Sequence, residues 1–148
     1  ETLEIILREL SQESIPIETD AALNERNYGI YTGKNKWDIK KEIGESKFLQ
    51  IRRGWNESIP QGESLKQVYE RVIPYYKSAI LPKLLEGKNC IISSSGNALR
   101  ALIKYLEQVS DEEIATIELG TGEVRDYIIG KNGSVISKKI LLKNEKIP

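Results

Sequence analysis

Residues 89–107 read NCIISSSGNALRALIKYLE, and this stretch decides the fold. Residues 89–93 are a short apolar run before a serine cluster, which is typical of a buried β-strand. Gly96 and Asn97 then form a turn, and residues 98–107 continue as a helix. A strand that enters a helix through a turn of small residues presents free N–H groups and the positive end of the helix dipole, which favours a bound phosphate or carboxylate. An ordinary strand-to-helix connection accounts for the pattern equally well.

The first half of the chain is mostly helical in pattern. Residues 2–10 place apolar side chains at helical spacing. Residues 14–19 alternate like a strand, which Pro16 restricts to the edge of a sheet. Lys36–Ile43 and residues 45–55 are predicted as two short helices separated by a glycine.

The second half mixes helices and strands. A long helix is predicted from Ser64, which begins the capping-box pattern Ser-x-x-Gln, and Pro74 is expected to kink this helix without ending it. Ser110 opens a second capping box and a short helix. Val124–Ile129 and Val135–Leu142 are predicted strands joined by a tight, glycine-containing turn. The alternation of strands and helices predicts an α/β sandwich with no internal domain boundary.

The amino-acid composition limits the catalytic and metal-binding groups that this chain can provide. The 148 residues contain no histidine, which excludes from this chain any Ser-His-Asp or Cys-His arrangement and any histidine metal ligand. Carboxylates, lysine, arginine, tyrosine and hydroxyl groups remain. The one cysteine, Cys90, begins an apolar stretch, and a buried structural thiol is favoured over a reactive one.

Charge and hydropathy limit the partners. Lys plus Arg equals Asp plus Glu at 22 each, so no overall field favours nucleic acid or an anionic membrane, and any anion must bind a local cluster. No apolar run approaches the ~20 residues that span a bilayer, and a cytoplasmic protein is expected. The chain has no methionine, even at position 1, which favours a truncated or engineered sequence over natural decay.

Two further motifs carry charged groups. Residues 23–29 read LNERNYG and are followed by GKNK at 33–36, so a carboxylate lies beside a guanidinium on a glycine-containing loop with two lysines. Such a loop suits anion binding combined with proton transfer, although a solvated loop with an incidental ion pair has the same pattern. Arg52 and Arg53, next to Trp55, can each hold a carboxylate or phosphate bidentately, and exposed surface is the alternative.

Taken together, these motifs resemble those of the 2,3-bisphosphoglycerate-dependent phosphoglycerate mutases, within the histidine phosphatase superfamily. The likeness rests on LNER-x-YG-x3-G-x-NK, RRGW and GN-x-LRALIKYLE and covers nearly all of the chain. It implies one domain, residues 1–148, built as a three-layer α/β sandwich with a mostly parallel sheet and helices on both faces. It also implies a glycolytic isomerase that interconverts 3-phosphoglycerate and 2-phosphoglycerate through a phosphohistidine, with 2,3-bisphosphoglycerate as primer and no metal.

The resemblance assigns roles to individual residues. Glu25 falls on the family's acid/base carboxylate, which takes and returns the proton of the substrate hydroxyl. Arg52 and Arg53 match the pair that holds the substrate's carboxylate and phosphate. Ser95 stands at the position of the second catalytic histidine. The other substrate-binding positions are Arg26, Tyr28, Lys36, Gly96 and Asn97.

Two departures from the family pattern bear on activity. Nothing matches the Arg-His-Gly segment of the first strand, whose histidine is the nucleophile, so the chain is expected to lack that strand and to expose the edge it would cover. Ser95 lacks the basicity of the second histidine, although its hydroxyl can donate a hydrogen bond to a phosphate oxygen. The chain alone is therefore expected to be inactive, or nearly so, in the mutase reaction.

Three interpretations stay open at this stage. The chain is a derivative of a phosphoglycerate mutase, a non-catalytic module that binds a phosphoglycerate-type small molecule or serves in assembly, or an incomplete form of an active mutase. Either another chain or segment supplies the missing strand, or the domain rearranges, for example by strand exchange in a homo-oligomer. Neither a nucleic acid nor a membrane is expected as a partner.

Overall fold

The computed structural model describes residues 2–142. In these residues there are six α-helices and one two-stranded sheet. The elements are α1 Thr2–Glu9, α2 Lys36–Ile43, α3 Glu45–Arg53, α4 Leu65–Tyr75, α5 Leu81–Leu85, α6 Gly96–Leu106, β1 Val124–Ile129 and β2 Val135–Leu142. Three 3-10 turns lie at Ala21–Leu23, Gly29–Tyr31 and Glu113–Thr116. None of the helices in this part of the chain has the length and apolar character needed to cross a membrane.

Local sequence signals set the helix boundaries. The predicted break between α2 and α3 is confirmed at Gly44, whose φ is 80°. Asn35 caps α2 because its side-chain oxygen accepts a hydrogen bond from the Trp37 N–H at 2.8 Å. The capping box of α4 is also confirmed: Ser64 Oγ accepts from the Gln67 N–H at 3.2 Å, and Gln67 Oε1 accepts from the Ser64 N–H at 2.8 Å.

Two helical segments in the second half depart from α-helical geometry. The helix continues through Pro74 as predicted, but it widens into a π-helical turn, Tyr76–Ile80, before α5 begins. Proline lacks an N–H for the carbonyl one turn earlier, so the ladder of α-helical hydrogen bonds is interrupted near this point. The short helix predicted after Ser110 is a 3-10 turn, and the predicted capping box is confirmed by reciprocal hydrogen bonds between Ser110 and Glu113.

The core lies mainly between α4 and α6. The apolar stripes of the two helices face each other, and burying a side chain of this size contributes about 1.5–3 kcal/mol. This packing gives the N-terminus of α6 a fixed position next to the first half of the chain. The core residues are Leu65, Val68, Val72, Ile73, Tyr76, Ile80, Ala98, Ala101, Leu102 and Ile114.

The hairpin of β1 and β2 confirms both predicted strands. The strands are antiparallel, with Tyr127 opposite Lys138. At the turn, the Gly130 N–H donates to the Ser134 carbonyl and the Gly133 N–H to the Gly130 carbonyl, both at 2.8 Å. Gly133 has a φ of 79°, a left-handed conformation that glycine adopts without strain.

Two other predicted strands are wrong. Residues 14–19 and 89–93 have no β-ladder, so the one sheet within residues 2–142 is antiparallel and not mostly parallel. A strand forms only where a neighbour takes up its N–H and C=O groups, and no described segment pairs with either stretch. The alternation within residues 89–93 still directs Cys90, a free thiol, and Ile92 towards the core.

Candidate active site

A loop that carries three predicted site residues, at positions 23–28, is held in place by α4. Arg71 Nη1 donates to the Ala22 carbonyl at 2.7 Å, and Nη2 donates to the Glu25 carbonyl at 3.2 Å. The same guanidinium binds Glu63 through Nε–Oε1 at 2.8 Å and Nη2–Oε2 at 3.0 Å. Each side chain of this pair, the Glu63–Arg71 clamp, is 24% exposed.

The Glu63 carboxylate of the clamp also hydrogen-bonds to the loop. Glu63 Oε2 accepts a hydrogen bond from the Asn27 N–H at 2.9 Å, and the Glu63 N–H donates to the Asn27 carbonyl at 2.9 Å. The hydrogen bond from Arg71 is the main cause that lowers the pKa of Glu63. The carboxylate is therefore held in its charged form next to the loop.

Two glycines let this loop approach residues 60–62 closely. Gly29 has a φ of 49°, and a Cβ there would lie 2.1 Å from the Pro60 carbonyl oxygen. A Cβ on Gly62 would lie 2.6 Å from the Asn27 carbonyl oxygen. Only glycine fits these positions without a backbone shift, so the sequence Tyr-Gly at the end of the loop has a steric reason.

Asn97, the second residue of α6, joins the loop to the helix. Its Nδ2 donates to Glu25 Oε1 at 3.0 Å and to the Tyr28 hydroxyl at 2.9 Å. Glu25 Oε1 also accepts from the Arg26 N–H at 2.6 Å. Asn97 is 7% exposed, whereas Glu25 and Tyr28 are half-buried. A half-buried carboxylate held by two donors is suited to proton exchange with a bound hydroxyl group.

Arg26 lies buried beneath the site with most of its donors free. The residue is 2% exposed, its Nη1 donates to the Ile51 carbonyl at 3.0 Å, and its guanidinium lies 4.7 Å from the centroid of the Tyr28 ring. Among the described residues, neither Nε nor Nη2 finds a hydrogen-bond partner. A buried charged donor without a partner costs more than about 1–3 kcal/mol, so Arg26 is poised for an anion.

A second buried arginine, Arg100 on α6, was not predicted as a site residue. It is 4% exposed, and its Nη1 donates to Asn97 Oδ1 at 3.1 Å. Its Nη2 donates to the carbonyls of Arg53 at 2.9 Å and Ile114 at 2.7 Å. Burial, and then the charges of Arg53 and Arg26, lower the pKa of Arg100 to about 10. The sequence signal that could have identified Arg100 as a site residue is its position as a charged residue on the apolar face of a predicted helix.

The other three predicted cationic residues lie at the edge of the group around Glu25 and Asn97. The Arg53 side chain pairs with Glu118 Oε1, while its backbone is tied to the site through its carbonyl. Arg52 is exposed, with its guanidinium 6.0 Å from the Phe48 ring centroid. Lys36, the first residue of α2, is exposed and lies over the ring of the next residue at 5.1 Å. Within residues 2–142, neither Arg52 nor Lys36 hydrogen-bonds to the central group.

Ser95 and Gly96 form the exposed start of α6. Ser95 is the N-cap residue, and its hydroxyl makes no capping hydrogen bond. A Cβ on Gly96 would meet nothing within 4 Å, so no side chain fills the space beside it. Ser94 Oγ donates to the Leu23 carbonyl and ties this turn to the loop. The structure thus brings Glu25, Arg26, Tyr28 and Asn97 together, with Ser95 and Gly96 adjacent in sequence.

Other parts of the described chain offer less. No group of three or more metal-ligating side chains is found there. A cavity of about 470 Å³ lies between α6 and the hairpin turn, and Lys104 and Gly133 are among its lining residues. It contains none of the predicted site residues, and the Lys104 ammonium already donates to the Val109 carbonyl at 2.7 Å. The candidate site is therefore the group of side chains around Glu25 and Asn97.

Comparisons with known proteins identify relatives. A 2,3-bisphosphoglycerate-dependent phosphoglycerate mutase from Bradyrhizobium diazoefficiens is 45% identical over 137 residues, which are 93% of this chain and 66% of that protein. A protein of the same name from Parvibaculum lavamentivorans is 39% identical over 145 residues, 98% of this chain and 69% of that protein. Another from Cytophaga hutchinsonii is 45% identical over 126 residues, 85% of this chain and 59% of that protein.

The chain therefore spans about two thirds of the length of the curated relatives it matches. The sequence profile of the histidine phosphatase superfamily, branch 1, matches residues 1–139, which is most of the chain. From this match and these identities, the chain belongs to branch 1 of the histidine phosphatase superfamily.

Proposed function

We propose that this chain forms the phosphoglycerate-binding part of a 2,3-bisphosphoglycerate-dependent phosphoglycerate mutase, which interconverts 3-phosphoglycerate and 2-phosphoglycerate. The observation that supports this best is the Arg26 guanidinium beside Glu25 and Tyr28. It is 2% exposed, and two of its nitrogen atoms have no hydrogen-bond partner within residues 2–142. An anion with several oxygen atoms would satisfy these donors and offset the charges of Arg26 and Arg100, whereas a neutral ligand would not. The names of the relatives indicate the same chemistry.

Each predicted residue has a role in this proposal. Glu25 takes and returns the proton of the substrate hydroxyl, and its orientation comes from the Arg26 N–H and Asn97. Arg52 and Arg53 hold the carboxylate and phosphate groups, and Arg53 exchanges its exposed partner Glu118 for the ligand. The remaining ligand-contacting positions are Arg26, Tyr28, Lys36, Gly96 and Asn97.

The primer 2,3-bisphosphoglycerate fits the same residues. It carries phosphate and carboxylate groups, and the unpaired donors of Arg26 suit such an anion. When bound, it supplies a phosphoryl group for the reaction. The residues of this chain contribute binding and the proton transfer at Glu25, and the proposal requires no metal.

We expect the chain by itself to be inactive, or nearly so. Its 148 residues contain no histidine, and a serine hydroxyl at position 95 cannot supply the nucleophilic imidazole nitrogen of a phosphohistidine reaction. Ser95 can donate a hydrogen bond to a phosphate oxygen. A histidine nucleophile would have to come from a complementing segment within the cytoplasm, because a second copy of the chain also contains no histidine.

Residues 89–93 are where a complementing strand would pair. This segment has no regular secondary structure and no ladder partner among residues 2–142, and Ile91 within it is 50% exposed. A strand added there would take up free backbone groups and begin the mostly parallel sheet of a three-layer sandwich spanning residues 1–148 as one domain. The same exposed edge supports the second candidate, a non-catalytic phosphate-binding or assembly module.

Calorimetry with 3-phosphoglycerate tests the binding proposal. We expect the chain to bind, and Arg26→Met to weaken binding at least about tenfold because charged hydrogen bonds are lost. Arg8→Met makes the same change at an exposed arginine of α1 and is expected to leave Kd unchanged. Absence of binding by the folded chain, or equal affinity of R26M and the parent, would overturn the proposal.

Two further measurements separate the candidates. A coupled assay of the purified chain is expected to detect no mutase turnover, and robust turnover would refute the inactivity. Light scattering after gel filtration gives the oligomeric state. A defined oligomer that binds no phosphoglycerate would favour the assembly module.

A further inference from the structure

Arg100 donates three hydrogen bonds beneath the site, yet it has no role in the substrate contacts proposed above. We propose that Arg100 is the positioning residue of this site, because its buried guanidinium orients the Asn97 amide and fixes the end of α3 that carries Arg52 and Arg53. This inference rests on the proposed function for its effect on ligand binding. The orientation of the Asn97 amide can be tested without any ligand.

The first arm of the argument concerns Asn97. A side-chain amide has one acceptor oxygen and one donor nitrogen, and rotating it by half a turn exchanges them. Arg100 Nη1 donates to Asn97 Oδ1 at 3.1 Å, which directs Nδ2 to the opposite side. There Nδ2 donates to Glu25 Oε1 at 3.0 Å and to the Tyr28 hydroxyl at 2.9 Å. The reversed amide would place an NH₂ group against the guanidinium and its oxygen against the Glu25 carboxylate.

The second arm concerns the end of α3. The last carbonyls of a helix have no partner within the helix, and a cation is a favourable donor to them. Arg100 Nη2 donates to the carbonyl of Arg53, the last residue of α3, at 2.9 Å. The same nitrogen donates to the Ile114 carbonyl at 2.7 Å, in the 3-10 turn Glu113–Thr116. One guanidinium thus links α6, α3 and this turn. The link lies at the end of α3, whose last two residues are the proposed ligand-binding arginines, Arg52 and Arg53.

Electrostatics argue against a role in stability alone. Arg100 is 4% exposed and lies within reach of the charges of Arg26 and Arg53, which oppose its own. A neutral donor would hold two carbonyls without this repulsion. A third guanidinium is favourable once an anion occupies the site, because the positive charges are then compensated. The arrangement is therefore suited to an anion site and costly without one.

The first test is nuclear magnetic resonance of the unliganded, ¹⁵N-labelled chain. The Asn97 side-chain NH₂ signals are assigned by their loss in Asn97→Asp. We expect these protons in the parent chain to exchange slowly with solvent, and to shift and exchange at least about tenfold faster in Arg100→Lys and Arg100→Gln. Lysine keeps the charge, but its single ammonium nitrogen does not reproduce the planar fork that places Nη1 on Asn97 and Nη2 on the two carbonyls. Unchanged Asn97 signals in these variants would overturn the proposal.

Lys104→Gln is the matched control. Lys104 lies one turn further along α6, is 8% exposed, and donates to the Val109 carbonyl at 2.7 Å. Like Arg100→Gln, Lys104→Gln removes a buried positive charge that donates to a backbone carbonyl, but the Lys104 side chain has no hydrogen bond to Asn97 within residues 2–142. We expect this variant to leave the Asn97 signals unchanged. If both Arg100 variants fail to fold, the parent chain still decides the question, because rapid exchange of its Asn97 NH₂ protons contradicts the bonding described.

The second test is calorimetry with 3-phosphoglycerate on the same proteins. We expect Kd to rise about tenfold in R100K and to be unchanged in K104Q. In a double-mutant cycle, R100K is expected to raise Kd less in an Asn97→Ala background than in the parent, because only its effect through the end of α3 remains. Altered Asn97 signals with an unaltered Kd would overturn the positioning role. If the parent chain binds no 3-phosphoglycerate, the proposed function fails, and the Asn97 signals alone then decide whether Arg100 orients the amide.

Discussion

Replacing Glu63 by glutamine removes the charge of the Glu63–Arg71 clamp with little change of shape. In the parent, the carboxylate accepts two hydrogen bonds from Arg71, at 2.8 and 3.0 Å, and one from the Asn27 N–H at 2.9 Å. Glutamine has one acceptor oxygen, so at least one bond to Arg71 is replaced by two donors facing each other. A hydrogen bond to a charged group contributes about 1.5–3 kcal/mol, and partial exposure favours the lower end, so we expect Glu63→Gln to cost about 2 kcal/mol.

The dependence on pH has a definite sign. The pKa of Glu63 is lowered in the folded protein, chiefly by the hydrogen bond from Arg71. The charged carboxylate therefore stabilises the fold at pH values above its unfolded pKa of about 4.3, and this stabilisation is lost as the pH falls through the lower folded pKa. The difference between parent and variant should be constant from about pH 6 to 8 and shrink below about pH 4.

Urea and thermal denaturation, both followed by tryptophan fluorescence, measure the effect. For a chain of this size, about 2 kcal/mol corresponds to a fall in Tm of about 4–8 °C. Glu57→Gln is the control, because the Lys47–Glu57 pair has side chains that are 50% and 37% exposed, and such pairs contribute about 0–1 kcal/mol. Equal stability of the two variants, or a Glu63→Gln effect that persists undiminished at pH 3, would refute the reasoning.

Three further outcomes are expected. Gly29→Ala should lower the unfolding free energy by about 2–4 kcal/mol, because φ is 49° and the new Cβ would lie 2.1 Å from the Pro60 carbonyl oxygen. Gly33→Ala should lower it by only about 1 kcal/mol, because φ is 76° but no atom lies within 4 Å of the new Cβ. Thermal unfolding measures both. Glu118→Gln should free Arg53 and lower the Kd for 3-phosphoglycerate about two- to threefold by calorimetry, and an unchanged or weaker affinity would contradict the exchange of partners. Ser95→His should give no mutase turnover in a coupled assay, because one imidazole does not supply both of the missing histidines; measurable turnover would contradict this.

The parts of the fold that the sequence predicts are those with local causes. The break at Gly44, the capping box at Ser64 and the hairpin of β1 and β2 each depend on residues within a few positions of one another. The strands expected at residues 14–19 and 89–93 depend instead on neighbours that pair with them, and a period in the sequence carries no information about whether such neighbours exist.

The site shows the same division. The roles expected for Glu25 and Asn97 came from a resemblance, and their hydrogen bond joins residues 72 positions apart, which no local pattern encodes. Arg100 sits in an apolar helical stripe of the sequence, and its burial and its bonds to Asn97 and Arg53 exist only in the folded chain. Arg71 lies on the helix predicted from Ser64, but its bonds to the Ala22 and Glu25 carbonyls are equally tertiary.

The grip of Arg71 on the loop of residues 23–28 also bears on the thermodynamics of association. Its bonds to the Ala22 and Glu25 carbonyls close segments of 49 and 46 residues, so the conformational entropy of the loop is lost when the protein folds. A ligand that arrives later meets backbone already in its final arrangement. A preorganised loop of this kind lowers the entropic penalty of complex formation, and affinity then reflects the charges and donors that the ligand meets.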